Sequence, residues 1–185
     1  MRVPLRHRLL LFAVLATFTQ GALYAVVSAQ AQEEGPAAAC AKGTDESNAA
    51  LASAYMNAFA AADERVFDEI LSTDYKHHFG IGEDAQTPAG LKQKVAEWYK
   101  AFNGGAFDVQ QVIVSGDMVV VRWKRTGVQV GDFAGVGPSN VETTYTGINI
   151  FRMKCGKVAE SWNESDHLGR LQAAGVLTKD KLLKP

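Results

Sequence analysis

Four side chains in this sequence can move protons near neutral pH and sit where the local pattern changes. His77 and His78 adjoin in "YKHHF", and Asp166 and His167 close "GKVAESWNESDHLGRL". A carboxylate carried into an apolar pocket has its pKa raised and becomes a usable base for taking a proton next to a carbonyl. An imidazole beside it can donate to the oxygen that gathers charge. Asp166 stands between a strand bearing Trp162 and the helical pattern "HLGRLQAAG", so pocket base and helix N-cap both fit it. Adjacent residues on extended backbone point opposite ways, so one of His77 and His78 faces inward; solvated loop imidazoles are the alternative. Adding Asp74, Asp166 or His167 to these histidines gives no recognised zinc spacing, and no metal is expected. Ser161 and Ser165 lack the setting of a nucleophile elbow, and "GVGPSN" joins strands rather than opening a helix, so neither a serine hydrolase nor a phosphate loop is indicated.

The elements that must hold these groups fall into two blocks. "DESNAALASAYMNAFAAAD" predicts a helix with Leu51, Tyr55 and Phe59 stacked, capped by Asp45 or Ser47. "ADERVFDEILSTDY" predicts a second. "TPAGLKQKVAEWYKAF" predicts a third, with Thr87 as N-cap, Pro88 in the first turn, and Trp98 and Phe102 on its apolar stripe. "KHHFGIGEDAQ" between the last two reads as a loop. The period then falls to two, giving four long strands in two hairpins that turn at Ser115-Gly116-Asp117 and Cys155-Gly156. Helices gathered before antiparallel strands indicate an α+β fold, with a curved sheet able to enclose a cavity. Tyr75, Trp98, Phe102, Trp123, Gln129, Tyr145, Asn149 and Trp162 are the candidate lining. Arg152 has the opposite parity to Asn149 and is read as outward.

Residues 1–31 carry Arg2, Arg6 and Arg8, then "LLLFAVLATF", then "AQA", the pattern of a cleaved signal peptide. Thr17, Thr19, Gln20 and Gly21 break the apolar run, so stable membrane insertion is not expected after cleavage. Residues 32–46 read as a loose leader, 47–178 as the domain and 179–185 as a tail. Losing residues 1–31 lowers the basic count from 19 to 16 against 20 acids, with no basic patch, which argues against nucleic acid. The chain is expected to be secreted or periplasmic, where Cys40 and Cys155 are a disulfide candidate and two free thiols the alternative.

"GVQVGDFAGVGPSN" at 127–140 and "YTGINIFRMKCGKVAESWNESDHLGRLQAAGV" at 145–176 give the chain a specific resemblance. Their order and spacing resemble the SnoaL-like polyketide cyclase (ester cyclase) family of the nuclear-transport-factor-2-like superfamily, over about 45–176. The resemblance implies a cone-shaped α+β barrel, a homodimer, and acid/base chemistry of aldol type on a small carbonyl compound. It implies no metal or organic cofactor, and Asp166 as the acid/base; the two-histidine loop adds His77 or His78 as a polar partner. Many relatives carry His where this chain has Gln129, which keeps a hydrogen-bonding role and no proton. A carrier or sensor of a small apolar ligand is the alternative function.

Overall fold

The computed structural model describes residues 40–80, 83–133 and 135–178; the expected signal peptide, most of the leader and the tail lie outside these. Among the described residues, four helices and six strands follow the order α1 (Asp45–Ala61), α2 (Glu64–Ile70), β1 (Leu71–Phe79), α3 (Pro88–Ala101), β2 (Phe102–Gly104), β3 (Asp108–Ser115), β4 (Met118–Gln129), β5 (Glu142–Lys154), β6 (Lys157–Ser165) and α4 (His167–Ala173).

Each helix starts on an oxygen-bearing cap that takes up one of its unpaired N–H groups. Thr44 accepts from the Ser47 amide, Asp63 from Arg65, Thr87 from Gly90 and Asp166 from Gly169. The cap of α1 is thus Thr44, not Asp45 or Ser47, because both of those already lie inside the first turn. Leu91 and Val95 of α3, with Ala52, Tyr55 and Met56 of α1, face inward onto the sheet and are buried. Trp123, Tyr75, Phe67 and Phe151 complete that core.

The strands form one sheet in the order β1-β6-β5-β4-β2, with β3 also paired to β4. Two expectations change here. The second helix stops at Ile70, and the stretch taken as its end and the following loop is instead strand β1. Tyr75 and His77 are buried on one side of it while Lys76 is exposed and His78 partly exposed on the other, the alternation of a strand with one covered face. Strand β1 also pairs parallel to β6, so the sheet is mixed rather than antiparallel. Parallel pairing needs a long crossover, and the chain between β1 and β6 supplies it. The β3–β4 and β5–β6 turns fall where expected, with Gly116 at φ 63° and Cys155 and Gly156 at 55° and 68°, the left-handed conformations a tight hairpin requires. A disulfide joins Cys40 to Cys155 with their Cα atoms 5.0 Å apart, tying the segment before α1 to that second turn.

Candidate functional site

Helices α1 and α3 cover one side of the sheet and leave a chamber of about 350 Å³ between them and the strands. That volume suits a small organic ligand. Its walls are largely aromatic, with Tyr55, Phe59, Phe79, Trp98, Phe107, Trp123, Phe133 and Tyr145 all lining it. Glu83, Glu97 and Asp132 reach it from the rim and are exposed.

Strand parity selects the polar groups of the interior. His77 of β1 is paired in register with Ser161 of β6, both pointing inward. Its Nδ1 lies 2.5 Å from the Ser161 Oγ, which lies 2.6 Å from the Tyr75 hydroxyl. The Tyr75 hydroxyl in turn donates to that of Tyr55 at 3.1 Å. Because Tyr75 spends its one proton on Tyr55, the 2.6 Å contact must carry the proton of Ser161. The contact at Nδ1 then carries the imidazole proton. With the ring proton on Nδ1, each of these three contacts has one, running from His77 through Ser161 and Tyr75 to Tyr55; the Tyr55 and Tyr75 hydroxyls also lie 3.3 Å from the same Nδ1, and donation from either would put the ring proton on Nε2 instead. The His77 Nε2 is buried, has no protein partner, and belongs to a side chain lining the chamber. Burial holds the His77 pKa down to about 3, and burial pushes Tyr55 up to about 12 and Tyr75 well above its usual value. At neutral pH the imidazole is uncharged.

A second polar set lies on β5 and β6. The Asn149 Oδ1 accepts from the Trp123 Nε1 at 2.8 Å and from the Asn163 Nδ2 at 2.9 Å. Two donors on one oxygen fix the orientation of that amide. The Ser165 hydroxyl donates to Asn163 at 3.0 Å. All four residues line the chamber. So do His167, whose pKa burial and the nearby Arg170 lower to about 4, and Arg125.

Of the expected lining, Trp98, Trp123, Tyr145, Asn149 and His77 are at the chamber. Six other candidates are displaced from it, each for a visible reason. Tyr75 is fully buried behind His77. Phe102 stacks behind Trp98 at 4.2 Å. Gln129 donates to the carbonyls of Gly131, Val136 and Gly137 and so fastens the connection after β4. Trp162 and His78 lie on the outer side of β6 and β1, stacked at 5.3 Å, with His78 bonded to Asp84 and Glu160 and Arg152 paired to Glu160. Those carboxylates raise the His78 pKa. Asp166, expected on the chamber floor, is exposed and does not line it; its carboxylate is occupied as the cap of α4. Arg125, Asn163 and Ser165, which line the chamber, and Ser161, which is fully buried against His77, carry no such expectation from the sequence. Their shared parity with Trp123 or with each other was the available signal.

An α+β cone with an aromatic chamber and a buried polar floor is the architecture of the nuclear-transport-factor-2-like class. A family model of the SnoaL-like polyketide cyclase matches residues 49–174, and the chain belongs to that family. Among solved structures it is similar to TsrD from Streptomyces laurentii, with 25% identity and a TM-score of 0.65, over 74% of this chain and 100% of that one. A proposed SnoaL-like polyketide cyclase from Jannaschia sp. CCS1 shares 23% identity with a TM-score of 0.65, over 72% and 95% of the two chains. AclR, a proposed hydroxylase from Streptomyces galilaeus, shares 22% with a TM-score of 0.62, over 73% and 100%. No curated protein matches the sequence.

Proposed function

We propose that the chamber binds a small, flat, largely apolar carbonyl compound and shifts a proton on it, in a cyclisation of aldol type or an isomerisation. The observation that carries this is His77, a neutral imidazole on the chamber's lining whose Nδ1 faces Ser161 and whose buried Nε2 has no protein partner; with the ring proton on Nδ1, Nε2 is the base. It takes the proton from the carbon beside the carbonyl. The C–H electrons move into the enolate, and the oxyanion is received by the Asn149 Nδ2, whose amide is pinned by two donors on its oxygen. The low pKa of His77 reflects burial without a counter-charge. The enolate supplies that charge as the proton moves, so imidazolium and enolate form as a pair. His167, uncharged on another wall, is positioned to return or relay a proton.

The same low basicity favours a second reading, in which the chamber carries or senses its ligand unchanged. Purified protein incubated with a metabolite extract and followed by mass spectrometry separates the two. Catalysis predicts a transformed product that disappears in His77→Gln and persists in Asp166→Asn. Equal product from His77→Gln and wild type would end the base assignment. A ligand recovered tightly held and unaltered would leave the carrier.

The Cys40–Cys155 bridge supports an oxidising, exported location for the chain. Val112 and Ile113 on β3 and Ile148 on β5 are exposed on the strands, which supports pairing of two copies through their sheets.

A further inference from the structure

Resting on that reading of the chamber, we infer that its ligand carries a carboxylate seated against Arg125. Arg125 is 3% exposed and lines the chamber from β4, one inward position along from Trp123. Its Nε donates to the Gly105 carbonyl at 2.9 Å. Its Nη2 donates to the Tyr99 hydroxyl at 2.9 Å and to the Gly104 carbonyl at 3.5 Å. Phe107, Tyr99 and Phe59 present their rings 4.7, 5.7 and 5.9 Å from its central carbon. The Tyr145 hydroxyl is held against the same guanidinium. Every one of these neighbours is neutral.

Among the described residues no carboxylate forms an ion pair with Arg125. A buried guanidinium is ordinarily paired, because its charge is costly to strip of water. Here the acids nearest the chamber, Glu83, Glu97 and Asp132, are on the exposed rim, where water screens them. The interior holds a second unmatched cation. Arg170, also 3% exposed, is enclosed by the rings of Phe102, Phe133, Tyr145 and Trp98, and its Nε and Nη1 have no partner. The inner wall is therefore positive and the missing charge is negative. Hydrogen bonds from Nε and Nη2 fix the plane of the Arg125 guanidinium, and its charge, met only by neutral groups, makes a planar seat between rings. That seat suits a carboxylate on an aromatic or conjugated body.

The test uses matched pairs: benzoate, cinnamate and naphthoate, each against its methyl ester, titrated into the wild-type protein by isothermal calorimetry. Trp98 and Trp123, both in the wall, give a parallel fluorescence signal. At least one acid is expected to bind roughly tenfold more tightly than its ester. Arg125→Met should erase that preference, and His77→Gln should keep it. If no acid outbinds its ester the carboxylate seat is refuted, and this comparison needs no variant. Esters that bind as well as acids would remove the anion while leaving a chamber for neutral carbonyl compounds; a chamber that takes neither series would remove both.

Discussion

Acid should destabilise this fold through His77, and the size of the effect follows from its burial. In the unfolded chain the imidazole titrates at 6.5; folded, it is held down to about 3. A depressed folded value means that the unfolded chain binds the extra proton first. The stability His77 contributes is complete above 6.5 and is lost as pH falls toward 3. Between pH 7.5 and pH 5 the loss from this one group comes to about 2 kcal/mol. That corresponds to about 6 °C in Tm for a domain of this size. His167 acts in the same direction, with a folded value of about 4. The assay is urea unfolding of wild type and His77→Gln at both pH values. Glutamine is neutral throughout, while His167 and the carboxylates are common to both proteins. The variant should therefore lose about 2 kcal/mol less than wild type on acidification, whatever its stability at pH 7.5. Parallel pH profiles would refute the claim that His77 is buried neutral, and the base assignment would go with it.

Two further outcomes follow from the frame around the chamber. Reducing the Cys40–Cys155 bridge, which closes a separation of 115 residues, should cost about 4–5 kcal/mol in the chain-entropy model; calorimetry with and without reductant measures it, and an unchanged Tm would show that the segment before α1 is held by other contacts. Gly147→Ala should destabilise by about 1–3 kcal/mol and weaken ligand binding. A methyl there would run into the Trp123 indole and come within 2.7 Å of the Glu164 carbonyl oxygen; denaturant unfolding and wild-type-like tryptophan fluorescence would disprove it.

Much of this arrangement was legible because it is periodic. Trp123, Tyr145 and Asn149 lie at alternate positions on the covered face of long strands, and Trp98 on the apolar stripe of α3. Arg125 shares the parity of Trp123 yet was passed over, since a charge in "RWKRTG" reads as a solvated face. The strand β1 was missed for a different reason. "LSTDYKHHF" is polar and follows a helical pattern, and only its pairing to β6, more than eighty residues away, makes it a strand. The parallel direction is likewise a property of two distant segments, so the chamber's central contact, His77 with Ser161, could not be read from either alone.

The displacement of Asp166 by His77 has a physical basis. A cap carboxylate works best ionised, bonded to the amides of a helix start and open to water. A side chain inside the pocket meets the reverse environment, stripped of water and favouring its neutral form, which raises a carboxyl and lowers an imidazole. Strand β6 gives the first place to the residue after its end and the second to inward side chains along its length, Asn163 and Ser165 in the chamber wall and Ser161 fully buried against His77. Which imidazole meets them depends on register. His77 lies opposite Ser161 and His78 opposite Trp162. A slip of β1 by one residue would exchange them. It would bring inside the histidine whose two carboxylate partners, Asp84 and Glu160, favour its charged form. The one now facing Ser161 is instead kept neutral by burial, on a side chain that lines the chamber. The pairing of two strands thus fixes the protonation state of the chamber before any ligand enters it.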